Sequence, residues 1–530
     1  MNIKHHSVTR RKVIVAAALL SAAGLALTGC GATGSAAGTA AASDGVINTE
    51  LWYAPTTFDP ALASGSSDVT VARLGFDTLL RKGETEGYIG GLATDWTAKS
   101  GTEYEFTIRT DATCSDGTVI TPSIVAASLE YLATASDSSA QASKATVFGP
   151  GTPSFTADDT AGTVTIDLTE PYSEVLDGLT SEVTGIICPA GLADLPGLAA
   201  GTVAGAWSGP YTLADFAAGV SATYTLRDDY DAWPDWQGVT GTPAKTVNIT
   251  VSTDSNTSAN LVASGGIDIS RFYDSNAQRF VDDSAYSYVT IPSSAYTLIF
   301  NQNPGTGSVF LDRPDLRKAV SQAIDKEGFN AAGLDSLGTP LLTVTASSVA
   351  CTLDGSDLLP AFDVAAATKV LTGQTIRLLA MSNWDPAIDF LAESLRTAGA
   401  TVEVSALDPA DWQAEMRTQP EKWDIALNAT TTANPLSEAI STYVGPTAAN
   451  GGRNIAGVDN AEGFADLQAA LAATDPAEQC SAFEDAQRTI LEDMSMTPLI
   501  TDTHFIIARQ GYASSVFSGY WDISSMRITS

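Results

Sequence analysis

Histidine is nearly absent from this chain: of 530 residues, only His5, His6 and His504 carry an imidazole. That scarcity excludes HExxH-type metal sites and multi-histidine metal cages, and a Ser-His-Asp triad would have to use His504. His504 lies in the apolar stretch His504-Phe505-Ile506-Ile507-Ala508, which reads as a strand carrying a structural histidine. The chain has no GxSxG elbow, no GxxxxGK[ST] phosphate loop and no GxGxxG after a strand. Basic residues are scarce too, 27 Lys and Arg against 61 Asp and Glu, for a formal charge of −34. That balance argues against nucleic acid, and against anionic lipid held through a basic patch. It permits cationic ligands without requiring them, and a soluble acidic surface on an exported protein is the plainer account.

Cysteine is rare, with five in all: Cys30, Cys114, Cys188, Cys351 and Cys480. None falls in a CxxC pair, which argues against a structural zinc site. The last four are an even number in an exported chain, so two disulfides in any of three connectivities, or four free buried thiols, are open readings.

The N-terminus has an apolar run from Val13 to Leu27 behind Lys4, Arg10, Arg11 and Lys12. It is shorter than the roughly 20 residues that span a bilayer and has the layout of a signal peptide. Thr9-Arg10-Arg11 matches part of a twin-arginine signal, so the general and twin-arginine export routes both stay open. At its end, Leu27-Thr28-Gly29-Cys30 resembles the lipobox of bacterial lipoproteins. The resemblance implies cleavage before Cys30, with 1–29 as signal peptide and diacylglycerol on the Cys30 sulfur. An ordinary signal peptide with a chance cysteine is the alternative. Residues 31–43 are only Gly, Ala, Ser and Thr, so 30–45 reads as a flexible tether. The expected location is the outer, extracellular or periplasmic, side of the cell membrane, with the lipid as the only membrane contact.

Strand and helix signals alternate from Val46 onward. Tyr104 to Arg109 and Thr163 to Leu168 alternate with period two. Thr121-Pro122 opens a helix with Thr121 as N-cap, and Gly265-Gly266 ends another after the Val247–Val251 strand. Tyr296–Asn301, Thr375–Ala380, Thr401–Val404 and Trp423–Leu427 read as strands, separated by helices such as Asp315–Ile324 and Pro386–Ala398. This is an α/β pattern.

Several segments, in order, resemble the family 5 extracellular solute-binding proteins, the dipeptide-, oligopeptide- and nickel-binding lipoproteins of ABC importers. Thr57-Phe58-Asp59-Pro60 resembles their early LDP turn and Phe76-Asp77-Thr78-Leu79-Leu80 their YETL helix. Leu92 to Trp96, Phe106 to Arg109 and Cys114-Ser115-Asp116-Gly117-Thr118 resemble the most specific stretch of the pattern. Ser208-Gly209-Pro210-Tyr211, Arg227-Asp228-Asp229-Tyr230, Ala263 to Asp268 and Asp315 to Lys326 resemble later blocks. The resemblance implies an α/β, two-lobed periplasmic-binding-protein-like fold with hinge strands and a ligand cleft. Lobe I would be 46–297 plus 500–530, and lobe II 298–499. Pairing Cys114 with Cys188 and Cys351 with Cys480 keeps each disulfide within one of those lobes.

The function implied is capture of a peptide-like or other polar solute, such as a sugar, for the permease of an ABC importer, with no catalysis and no cofactor. Two other classes stay in view: a secreted hydrolase using two carboxylates, and a surface sensor lipoprotein with the same fold. Aromatic, amide and hydroxyl groups in loops at strand ends are the candidate ligand contacts. They are Trp52, Tyr53, Thr56, Phe272, Tyr273, Asn383, Trp384, Trp412, Asn428, Thr430 and Thr431. Peptide-binding members carry an Asp that pairs with the peptide ammonium. The matching stretch here, Asn428 to Pro435, has no carboxylate, which implies a neutral polar ligand or a modified peptide. Nickel held through histidine is unsupported.

Overall fold

The computed structural model describes residues 45–84 and 87–529. The signal segment, Cys30 and nearly all of the tether lie outside the described residues.

Period-two alternation produces the expected strands. Glu103–Ile108 turns Tyr104, Phe106 and Ile108 into a core and Glu105 and Thr107 outward, and Thr163–Leu168 pairs beside it antiparallel. The helix Pro122–Thr134 begins where Pro122 sits at its first position. Thr121 occupies the N-cap position, but its side chain makes no capping bond; Asp159 accepts from the Ser123 N–H instead. Asp254 caps the helix Ser255–Ser264, and Gly265, at φ +83°, ends it in the left-handed conformation that glycine tolerates.

Seven strands form the largest sheet: β1 (Ile269–Phe272), β2 (Tyr286–Phe300), β3 (Thr339–Pro340), β4 (Thr375–Met381), β5 (Thr401–Leu407), β6 (Ile425–Thr431) and β7 (Met496–Arg509). Their order is β1-β7-β2-β6-β4-β5, with β3 paired to β7. β4 pairs parallel with β5 and with β6, and the helix Asp385–Thr397 joins β4 to β5. The Val247–Val251 stretch, whose strand runs Thr246–Val251, joins Val46–Leu51 in a separate four-stranded sheet. It therefore does not pair with β1 across the intervening helix.

β2 and β7 are the long members, at 15 and 14 residues. Their Tyr286–Pro292 and Thr503–Arg509 halves pair with each other and lie next to β1. Their other halves lie next to β6 and β3. The ladder shifts register between Pro292 and Ala295 and again between Ala295 and Thr297. Pro292 has no N–H to donate, which suits a break in the ladder.

The buried apolar clusters divide at these shifts. One side contains Ile291, Ile506, Ala508 and the apolar residues from Ile47 to Phe280. The other contains Leu298, Ile299, Phe300, Leu499, Ile500 and the residues from Phe310 to Met496. Disulfides link Cys114 to Cys188 within the first body and Cys351 to Cys480 within the second. Among the described residues, no helix is long and apolar enough to cross a membrane.

Candidate functional site

The register shifts make room for a side chain. Ser293 and Ser294 of β2 lie opposite Asp502 of β7, and Asp502 Oδ1 accepts from the Ser294 N–H at 2.5 Å. The resulting bulge holds a carboxylate where the two bodies meet. Asp502 Oδ2 is 3.6 Å from His504 Nε2. Its charge also adds to the burial that raises the Tyr296 phenol.

On the first body, Trp52 and Tyr53 follow the strand Val46–Leu51, while Arg271 and Tyr273 lie at the end of β1. Trp52 meets the Tyr273 ring edge-on at 4.3 Å and the His504 ring at 5.6 Å. The Arg271 guanidinium stands 5.1 Å over Trp52 and donates to His504 Nδ1 from Nε (2.9 Å) and Nη2 (2.6 Å). Burial lowers the His504 pKa; Asp502 opposes the shift, the Arg271 charge adds to it, and the net result stays below the usual histidine value. The imidazole is therefore neutral near pH 7, with Nδ1 accepting and the Nε2 proton directed to Asp502. Burial brings Arg271 down to about 10, so it stays a cation at neutral pH. Trp52, Tyr53, Thr253, Arg271 and Tyr273 line a pocket here.

The second body contributes Tyr296 from β2 and Trp384 from the turn after β4, with ring centroids 5.5 Å apart. Trp412, on the helix Pro409–Thr418, backs Trp384 at 5.8 Å. Asn428 and Thr430 project from β6, and Asn428 Nδ2 donates to Thr430 Oγ1 at 3.0 Å. Thr430 and Thr431 lie opposite Ala295 and Ser294, beside the bulge.

Several residues singled out in the sequence serve the scaffold. Phe272 is buried and stacks on Phe280. Trp412 is buried in the core. Thr56 commits its N–H and its hydroxyl to the Asp68 carboxylate. Asn383 is exposed on the turn Ser382–Trp384. Tyr53, Tyr273, Trp384, Thr430 and Thr431 keep partly or fully exposed side chains near the bulge.

Arg271, Tyr296 and Asp502 were not singled out in the sequence. Their signal is weak, because each is one polar or aromatic residue within an ordinary strand pattern. The stretch Asn428 to Pro435 lacks a carboxylate, yet the cleft does not: Asp502 reaches it from β7, about seventy positions along the chain. Among the described residues, no cluster of His, Cys, Asp and Glu suited to a metal ion occurs.

Residues 87–451 match the bacterial extracellular solute-binding proteins, family 5 middle. The chain is 26% identical over 288 residues to a probable D,D-dipeptide-binding periplasmic protein of Escherichia coli (strain K12). That match covers 52% of each protein, so the chain spans about half the length of this curated relative. A crystal structure of a substrate binding protein from Microbacterium hydrocarbonoxydans, complexed with 4-hydroxybenzoate hydrazide, is 34% identical. It covers 92% of this chain and 100% of that one, with a TM-score of 0.72. NikA from Brucella suis in complex with Fe(III)-EDTA has a TM-score of 0.74 at 20% identity, over 91% of this chain and 99% of that one, a likeness of fold alone. The architecture is the two-lobed α/β fold of periplasmic binding proteins, with β2 and β7 running between the lobes.

Proposed function

This chain belongs to the family 5 bacterial extracellular solute-binding proteins, and from that premise we propose that it captures a peptide-like or other polar solute between its lobes and delivers it to the permease of an ABC importer. Proteins of this family are binding proteins of ABC transporters and not enzymes, so the site's task is recognition. One observation carries the reading: Trp52, Tyr53 and Tyr273 on one lobe and Tyr296 and Trp384 on the other flank the same bulge in the strands that join the lobes. A hinge beside the ligand lets each lobe contribute half of the site, and closure then presents the loaded form to a membrane partner.

We place the lobe boundaries near residues 297 and 500, supported by the division of the buried clusters there. The contacts offered to the solute are Tyr53, Tyr273, Trp384, Asn428, Thr430 and Thr431. The relative complexed with an aryl hydrazide supports a ligand that carries a carbonyl joined to a planar or peptide-like body. The lipobox at Leu27 to Cys30 supports anchoring through diacylglycerol on Cys30.

A thermal-shift screen tests the reading. The panel contains peptides with free and blocked N-termini, aryl hydrazides and oligosaccharides. A ligand at about 100 times its Kd adds about 2.7 kcal/mol and raises the melting temperature. Saturable binding without turnover is expected; turnover of a bound compound would support the hydrolase instead. For the anchor, Cys30→Ser is expected to move the protein from the membrane fraction to the medium. Unchanged membrane retention would count against lipidation.

A further inference from the structure

The lobe I wall of the cleft holds a cation without a carboxylate partner of its own. Other buried arginines are well supplied: Arg73 and Arg81 share Asp522, Arg317 bonds Asp493 and the Phe310 carbonyl, and Arg527 bonds two backbone carbonyls. Among the described residues Arg271 makes no ion pair: Nε and Nη2 both address His504 Nδ1, a neutral acceptor, and the Asp502 charge acts on it only from beyond ion-pair distance. Asp502 is held by Ser294 and His504 and makes no ion pair with Arg271. The Arg271 donors require Nδ1 to accept, which leaves the Nε2 proton on the side of Asp502, 3.6 Å away, and the His504 contact holds the guanidinium over the Trp52 ring. His504 is thus a positioning residue, and Arg271 is the group it aims. A planar guanidinium in a partly dry aromatic pocket matches a carboxylate through two parallel N–H···O bonds. The other ionisable acid among the lining residues is Glu50, whose two carboxylate oxygens are already taken by the Ser258 and Ser270 hydroxyls and whose pKa burial raises.

Resting on the solute-capture reading, we propose that Arg271 anchors a carboxylate of the solute, so that the ligands of this protein are small carboxylic acids whose planar body lies against Trp52, Tyr53 and Tyr273. The assignment narrows the ligand class from any polar solute to an anionic one. It also separates the work of the two lobes: lobe I holds the charge, and the amide and hydroxyls of Asn428, Thr430 and Thr431 meet the neutral remainder.

The test uses matched acids and amides on the purified protein: 4-hydroxybenzoate, the dipeptide Met-Leu and pyruvate, each against its own primary amide, and 4-hydroxybenzoate also against its hydrazide. Binding is read by thermal shift and then by calorimetry. The expected result is that at least one acid binds about tenfold or more tightly than its amide. Arg271→Gln, whose amide can still donate to His504, should bring that ratio close to one while leaving the unliganded melting temperature within a few degrees. Arg271→Lys, which keeps the charge but loses the fork, should retain part of the preference. Amides or hydrazides that bind while no acid does would leave solute capture standing and overturn the carboxylate assignment. An acid preference that survives Arg271→Gln would overturn it as well. No shift from any acid, amide or hydrazide would count against both readings.

Discussion

Glu174 of lobe I accepts hydrogen bonds from both the backbone N–H (3.1 Å) and the hydroxyl of Ser437 in lobe II, 263 positions away. The same patch contains three further bonds between the lobes. The Ser173 N–H donates to the Leu471 carbonyl, the Ser173 hydroxyl donates to the Ala470 carbonyl, and Gln479 Nε2 donates to Ser173 Oγ. Leu471 packs against buried clusters of both lobes. A side chain at Gly101 would put its Cβ 2.9 Å from the Ala472 carbonyl, so glycine is what allows the close approach. The lobes are therefore joined at a second place besides the two crossover strands, and Glu174 is its buried ionisable group.

Burial raises the Glu174 carboxyl to about 7, against the two Ser437 bonds that lower it. The native state therefore binds this proton more tightly than the unfolded chain, whose carboxyl titrates near 4.5. The stabilisation is fully present below about pH 4.5 and is lost as pH rises through about 7, with an upper bound on the order of 3 kcal/mol. Asp177, engaged with Lys82, adds to the upward shift, while Tyr88 and Tyr172 are held well above their usual range and stay neutral. Melting temperatures of the wild type and Glu174→Gln should diverge between pH 5 and 8, with the variant relatively favoured at the alkaline end. Parallel curves would remove Glu174 as the cause.

Arg81 lies between Asp77 at 2.6 Å and Asp522 at 3.0 Å, all three nearly inaccessible to solvent. Arg81→Met removes the cation that bonds both buried carboxylates, and the expected loss is about 3–5 kcal/mol in urea unfolding. Adding Asp77→Asn should recover part of the loss, because the uncompensated charge falls. Full stability in the single variant would show that the pair is dispensable.

The blocks that mark the family meet one another more than they meet the cleft. Arg227 donates to the carbonyls of Thr113, Cys114, Ser208 and Gly209, and Tyr230 donates to Asp77, whose N–H bonds Ser208 Oγ. They are a clasp within lobe I, which is why fold and family were legible while the ligand was not. Strands with one buried face, such as Glu103–Ile108, announced themselves by alternation. β2 was visible only from Tyr296 onward, because its Tyr286–Thr290 end is half-buried or exposed and carries no apolar rhythm. Asp502 and Arg271 became neighbours of the site through the register shift and the β1–β7 pairing, relationships that no local pattern encodes.

The disulfide between Cys114 and Cys188 closes a loop with a sequence separation of 74 inside lobe I. On chain-entropy grounds, removing it costs about 4 kcal/mol. The double variant Cys114→Ala/Cys188→Ala should show a markedly lower urea midpoint than the wild type, and reductant, which also opens Cys351–Cys480, should lower the wild-type midpoint at least as far. A midpoint indifferent to both would mean that the loop is already constrained in the unfolded chain.

Tyr53 and Trp412 were candidate ligand contacts of the same kind, and their burial now separates them. Tyr53 is 66% exposed on the lobe I wall, whereas Trp412 is 7% exposed and sits behind Trp384. Truncating an exposed ring costs little folding energy but removes contact area offered to a solute; truncating a buried one leaves a cavity worth about 3–5 kcal/mol. Tyr53→Ala should therefore keep the wild-type melting temperature and weaken solute binding, with the loss appearing as a raised Kd in calorimetry. Trp412→Ala should lose stability first and affinity only through displacement of Trp384. If Tyr53→Ala binds as tightly as the wild type, the aromatic wall of lobe I ends at Trp52 and Tyr273.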